Sequence, residues 1–218
     1  LAQAGDAMSR PQPDSFAAWK RRLERKWKNG GQSVGIVLTA VGWTFTGCFG
    51  ITALVMGILP AVSDAQTLIL ADKLVHASLI DGIRLSAAKC IRYRHNDLAQ
   101  LERLLKEHHS AFRQIIIVTE SIFSMDGDQA DLPALAELKR RYGNVLLYVD
   151  EAHAFGVRGR QGLGCAEESG CTGDIDFLVG TFGKAAASAG AYIVCRKVIR
   201  EYLVNRMRTL IFTTGLPP

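Results

Sequence analysis

Val145-Leu-Leu-Tyr-Val-Asp-Glu-Ala-His153 opens on five apolar or aromatic residues and closes on two acids and an imidazole. A short continuous apolar run of this kind is the pattern of a strand covered on both faces. Upstream, Asp131 is placed to cap a helix with Leu132, Leu135 and Leu138 on one face, Lys139-Arg140-Arg141 at its end and Gly143 as its stop. Before it, the β-branched run Gln114 to Val118 predicts another strand. Asn96 is placed to cap a helix carrying Leu98, Leu101, Leu104 and Leu105, with Lys106, His108 and His109 at the end that favours positive charge. Thr67 to Ala71 is the first strand of this series, and Ile175 to Val179 and Ala191 to Cys195 are its last two. Strands alternating with helices predict an α/β fold, a mostly parallel sheet flanked by helices.

The polar residues fall at one side of this map. His76 follows the first strand, Glu120 and Ser124 the second, Asp150 and His153 the third, Thr181 and Lys184 the fourth. Open α/β sheets bind ligands beyond the carboxyl ends of their strands. A single Asp or His in such a place is commonly a helix cap; four strands delivering such groups together point to a site.

Composition narrows the classes. The chain has 218 residues, 48% of them hydrophobic, and a net charge of +5. Residues 1–28 hold seven Lys/Arg against three Asp/Glu, so the body is nearly neutral and a nucleic-acid partner is not expected. The five cysteines, Cys48, Cys90, Cys165, Cys171 and Cys195, include no C-x-x-C pair, which fits a reducing, cytoplasmic setting. Ser33 to Ser63 contains no charged residue. It admits a membrane span, and also a buried strand, a glycine turn and a buried helix in succession. Its five glycines and Pro60 favour the second reading, so a membrane partner is not expected.

Lys184 is the only charged residue between Asp176 and Arg196. An amine in apolar surroundings loses proton affinity and becomes a nucleophile toward aldehydes. Asp150, at the end of an apolar strand, needs a cationic partner. A protonated pyridine nitrogen is such a partner, and the pairing makes the ring an electron sink. His153 is placed for the ring hydroxyl and His76 for stacking on the ring. The hydroxyls of Ser124 and Thr181, with backbone amides near Gly47, can hold ring and phosphate substituents. The cofactor so implied is pyridoxal 5'-phosphate. Other signatures fail. Asp150-Glu-Ala-His153 lacks an upstream phosphate loop, and Asp126, Asp128 and Glu137 lack the glycine a calcium loop needs. No His/Cys cluster has metal-ligand spacing, so no metal is expected.

Several strings resemble the α-oxoamine synthase family of fold-type I pyridoxal-phosphate enzymes. They are Ala71-Asp-Lys-Leu-Val-His-Ala-Ser-Leu-Ile-Asp-Gly82, His95-Asn-Asp97, Thr119-Glu-Ser-Ile-Phe-Ser-Met-Asp-Gly-Asp128, Val149-Asp-Glu-Ala-His-Ala154, Gly180-Thr-Phe-Gly-Lys-Ala185 and Leu210-Ile-Phe-Thr-Thr-Gly-Leu-Pro-Pro218. They span about 150 residues in the family's order. The resemblance implies the large domain of fold-type I transferases over 45–218, preceded by a divergent basic segment, 1–44. It implies Lys184 as the cofactor-carrying lysine, Asp150 as partner of the pyridine nitrogen and His76 as the stacking residue. It places Ser124 and His153 at the ring hydroxyl, Thr181 at the phosphate and Gly47-Cys48 in the phosphate turn. The implied reaction joins an amino acid, L-alanine by the best-matching strings, to an acyl thioester such as pimeloyl-CoA or a pimeloyl carrier protein, with loss of carbon dioxide. Thr213 and Thr214 would face a neighbouring subunit, which implies a homodimer. Another acyl thioester and amino acid remain open, as does an inactive, membrane-anchored relative. Two departures stand out: Ala187 takes a place where the family has glycine, and the family's carboxyl-terminal small domain, with its carboxylate-binding arginine, is not seen before Pro218.

Overall fold

The computed structural model describes residues 34–39, 47–188 and 190–212, with side chains from Leu54 onward. From Gly35 the chain forms one compact unit. Its elements are β1 (Val34–Thr39), α1 (Gly47–Val62), β2 (Thr67–Asp72), α2 (Ala77–Leu85), β3 (Lys89–Tyr93), α3 (Leu98–His108), β4 (Gln114–Glu120), α4 (Leu132–Arg141), β5 (Val145–Asp150), α5 (Cys165–Glu168), β6 (Phe177–Thr181), β7 (Ala191–Arg196), α6 (Lys197–Arg206) and α7 (Arg208–Ile211).

The strands form one sheet in the order β1-β7-β6-β5-β4-β2-β3. The β2·β3, β2·β4, β4·β5 and β5·β6 pairs are parallel, and β6·β7 is antiparallel. The expected mostly parallel α/β sheet is therefore present. Leu68 to Ala71 of β2 and Ile115 to Val118 of β4 are wholly buried, as their unbroken apolar runs require for strands covered on both faces. The chain leaves β2 toward β3 on one side and, after β4, builds toward β5 on the other. The boundary between β2 and β4 is thus a topological switch point, where open sheets bind ligands.

The uncharged run Ser33 to Ser63 holds β1 and the 16-residue α1, the strand-then-helix reading. Leu54, Val55, Ile58 and Leu59 of α1 are buried. Among the described residues no helix is long and apolar enough to cross a membrane. The α1–α2 crossing is close: a Cβ on Gly82 would sit 3.0 Å from the Met56 Cα.

Several local expectations need correction. The α3 cap is Asp97, whose carboxylate accepts the Gln100 N–H; Asn96 instead takes a left-handed turn at φ 52°. Asp131 caps α4 as expected, but α4 ends on extended Tyr142, without using Gly143 as a left-handed stop. The fourth strand of the sequence series, β6, starts two residues later than Ile175 and includes Thr181. Strand β3, Lys-Cys-Ile-Arg-Tyr, lies at the sheet edge and is largely exposed, so it lacks the apolar signature of its neighbours. Helix α2, between His76 and β3, was likewise not expected.

Candidate cofactor site

The parallel register sets the site. Glu120 pairs with Asp150 across β4·β5, and Asp150 with Val179 across β5·β6, two residues before Thr181. His76 is the N-cap of α2, just after β2; its Nδ1 accepts the Ser78 N–H at 3.2 Å. The His76 main-chain N–H donates to the Glu120 carboxylate, tying the β2 turn to the end of β4. The four strand ends expected to deliver polar groups thus lie along one sheet edge.

Electrostatics shows which groups share the space. Asp150 is buried, and its carboxylate accepts the Ala152 N–H at 2.8 Å. Burial pushes its affinity for a proton up, while the Ala152 hydrogen bond and the charge of Lys184 oppose that rise. Glu120, 2% exposed, is pushed up to about 8, first by burial and then by the charge of Asp150; Lys184 again acts the other way. His153, half-buried, is pushed down by burial and by Lys184 and His76, so its imidazole is neutral near pH 7. Lys184, Asp150, His76 and His153 therefore form one electrostatic cluster.

Lys184 does not sit in apolar surroundings, as its sequence neighbourhood suggested. It is exposed on the turn after β6, and its charge acts on the buried acids Glu120 and Asp150 at the neighbouring strand ends. An apolar sequence context around a lysine does not set its environment, because the neighbouring strands bring the acids. The turn is held by Ala187 N–H to Lys184 O (3.0 Å) and Ser188 N–H to Phe182 O (2.9 Å). Below it, Phe155, Phe182 and Tyr192 pack with ring centroids 5.2–5.9 Å apart. Ala187 has φ 45°, a left-handed conformation that glycine takes without cost.

Thr181 is 1% exposed, and its hydroxyl has no hydrogen-bond partner among the described residues. A buried hydroxyl without a partner is costly unless a ligand supplies one. Gly47 and Cys48 open α1, a helix with no acid in its first turn, so they stand at a helix end that favours an anion. Ser124 is exposed on the loop after β4 and, among the described residues, bonds to none of the others. Residues 40–46, including the turn before Gly47, lie outside the described residues, as do Thr213, Thr214 and the basic segment 17–28.

Three residues were given no chemical role on sequence, although Glu120 was already placed at this edge. Glu120 ends an apolar run just as Asp150 does, and that shared position is the signal that marks it. Glu151, wholly buried, accepts Ser121 Oγ (2.7 Å), Cys165 N–H (3.1 Å) and Ala166 N–H (2.7 Å), fixing the start of α5. His95 bridges Asp72 and Asp128. No local pattern marks either contact.

The residues present fit pyridoxal phosphate: a buried acid for the ring nitrogen, a reachable lysine, a neutral imidazole, an unpartnered buried hydroxyl and a helix N-terminus for the phosphate.

A family model, Aminotransferase class I and II, matches residues 8–218. A putative 8-amino-7-oxononanoate synthase of Glaesserella parasuis is 69% identical over 163 residues, 75% of this chain and 43% of its own. An 8-amino-7-oxononanoate synthase of Haemophilus ducreyi is 61% identical over 166 residues, with the same coverage of each chain. This chain therefore spans less than half the length of these relatives. Among solved structures, an 8-amino-7-oxononanoate synthase of Francisella tularensis aligns with a TM-score of 0.71 at 29% identity, over 98% of this chain and 61% of its own. A serine palmitoyltransferase of S. paucimobilis, with bound PLP and myriocin, aligns with a TM-score of 0.79 at 26% identity, over 99% and 50%.

Proposed function

Starting from the aminotransferase class I and II family, to which this chain belongs over residues 8–218, we propose that it is the cofactor-binding part of an α-oxoamine synthase. The proposed reaction condenses L-alanine with a pimeloyl thioester, on CoA or a carrier protein, releasing carbon dioxide and forming 8-amino-7-oxononanoate for biotin. A cytoplasmic homodimer is part of the proposal. The observation that carries it is the strand register that pairs Glu120 with Asp150 and Asp150 with Val179, two residues before Thr181, with the His76 N–H donating to Glu120.

Bound there, pyridoxal phosphate supplies an electron sink for a carbanion at the amino acid's α-carbon. The chain's own residues do the rest. Lys184 supplies the amine that carries the cofactor. Asp150, desolvated and under the charge of Lys184, holds the proton of the pyridine nitrogen. The His76 imidazole, fixed by Ser78 and by the Glu120 tie on its own N–H, takes the face of the ring. Neutral His153, together with Ser124, is assigned to the ring hydroxyl. Thr181 Oγ and the Gly47 and Cys48 amides take the phosphate.

Borohydride reduction of the cofactor-loaded protein followed by peptide mapping tests the centre of this reading. The label is expected on Lys184; a label on another lysine refutes it. Carbon dioxide and free CoA release, measured for each amino acid and thioester pair, tests the substrates, with L-alanine and pimeloyl-CoA expected to be fastest. Similarity to a serine palmitoyltransferase across 99% of the chain supports a second reading, serine with a long-chain acyl-CoA. The 61–69% identity to 8-amino-7-oxononanoate synthases favours the first.

A further inference from the structure

His95 lies outside the cluster just described, yet it joins the segments that carry His76 and Ser124. Its Nδ1 is 2.9 Å from Asp72 Oδ1 and its Nε2 is 2.6 Å from Asp128 Oδ2. An ionised carboxylate only accepts, so the ring serves both acids at once only as an imidazolium, with both nitrogens donating. The ring stands edge-on to buried Phe123, centroids 4.4 Å apart.

Each carboxylate organises its own segment. Asp72 accepts Leu74 N–H at 2.8 Å within the turn that leads to His76, and Asn96 N–H at 2.8 Å from the β3–α3 turn. Asp128 also accepts the Asn96 amide at 2.7 Å, and its main chain pairs with Phe123 (3.0 Å) in the loop that carries Ser124. The left-handed turn at Asn96 aims backbone and side-chain N–H groups at the two acids. One ring thus connects the β2–α2 turn, the β3–α3 turn and the β4–α4 loop.

We propose that His95 is a positioning residue: its imidazolium, between Asp72 and Asp128, locks the His76 turn and the Ser124 loop into one arrangement and so pre-forms the cofactor cleft. The consequence for the cleft rests on the pyridoxal-phosphate reading; the clamp itself does not. Among the described residues the charged groups paired with the ring are Asp72 from β2 and Asp128 from the loop. Tyr93, beside Asp72 on β3, is held protonated by burial and by that acid's charge. Asn96 Nδ2, 3.3 Å from Nε2, is neutral. Burial favours the neutral imidazole, but the hydrogen bonds and charges of Asp72 and Asp128 outweigh it and hold the proton affinity of His95 above the ordinary value. The clamp is therefore complete below the ordinary histidine range and opens as pH rises through the raised midpoint.

The test is an NMR titration of the ring nitrogens in the cofactor-free protein, with hydrogen exchange of the Phe123, Gly127 and Ala130 amides measured alongside. Both nitrogens should carry protons below the ordinary histidine range, and amide exchange, corrected for base catalysis, should rise about tenfold through the His95 midpoint, the scale of one charge-assisted hydrogen bond. Asp128→Asn keeps an oxygen facing Nε2 but removes a charge, and should lower the midpoint. His95→Gln should exchange at the high-pH rate at every pH. The pH dependence of pyridoxal-phosphate affinity should show this step in the parent and lose it, at that midpoint, in His95→Gln. A His95 midpoint at or below the ordinary histidine value, or loop exchange without a step, overturns the clamp. An intact exchange step in a protein that never binds pyridoxal phosphate refutes the functional reading while leaving the clamp standing.

Discussion

Removing the Glu151 carboxylate should unravel the start of α5 without touching the cofactor cluster. Glu151 is wholly buried and takes three donors: Ser121 Oγ, Cys165 N–H and Ala166 N–H. The fit is tight, since a Cβ on Gly164 would sit 2.5 Å from Glu151 Oε2, and Gly164 has φ 105°. In Glu151→Ala the two amides stay buried without an acceptor, at about 1–3 kcal/mol each, while the serine hydroxyl can turn elsewhere. Burial raises the carboxyl's proton affinity, so part of the loss is returned as the desolvation cost disappears. A net loss of about 2–5 kcal/mol is expected from those terms. In a chain of this size each kcal/mol moves the melting temperature by about 2–4 °C. Glu151→Gln separates the contributions. An amide oxygen in the place of Oε2 keeps Ser121 and Cys165 and leaves only the Ala166 amide unpaired, so its loss should be about 1–3 kcal/mol. Urea melts of the parent and both variants supply the measurement. A Glu151→Ala midpoint equal to the parent's, or a Gln variant as unstable as the Ala variant, would refute the reasoning.

Three further outcomes follow from the geometry. Ala187→Gly should relieve the left-handed strain at φ 45°, worth about 1–2 kcal/mol less what glycine loses in chain entropy, and be neutral to stabilising by about 1 kcal/mol in thermal melts; a destabilised variant contradicts this. Asp150→Asn should still bind cofactor but slow exchange of the L-alanine α-proton in deuterated water by orders of magnitude, several kcal/mol of barrier; unimpaired exchange removes Asp150 from its assigned role. Glu120, whose folded value is raised to about 8, contributes stability that is fully present below the ordinary glutamate range and lost as pH rises through about 8. Glu120→Gln, neutral throughout, should therefore gain on the parent in urea melts between about pH 5 and 8, and a pH-independent difference would exclude the raised carboxyl.

Those parts of the fold written in local periodicity were legible in the chain. Apolar runs such as Ile115 to Val118 and Leu147 to Val149 can only be strands covered on both faces, and an acid placed directly after such a run must lie at the sheet edge. That logic located Asp150 and, with the motif resemblance, Lys184, Thr181 and His153. Asp131 was readable as a cap because capping acts over three residues. Edge strand β3 was not, because one exposed side removes the apolar signal, and Asn96 was misread as the cap because it neighbours the true one. Tertiary structure alone decided what lies next to what. Glu120 and Asp150 are thirty positions apart and become ladder partners only when β4 and β5 pair. Asp72, His95 and Asp128 meet because β2 takes its place between β3 and β4. Lys184 faces acids for the same reason, although its neighbours in sequence are alanines and glycine. Propensity and periodicity act over one or two turns of chain, whereas strand order is settled by burying all faces of the sheet at once, so the environment of each site residue belongs to the assembled sheet.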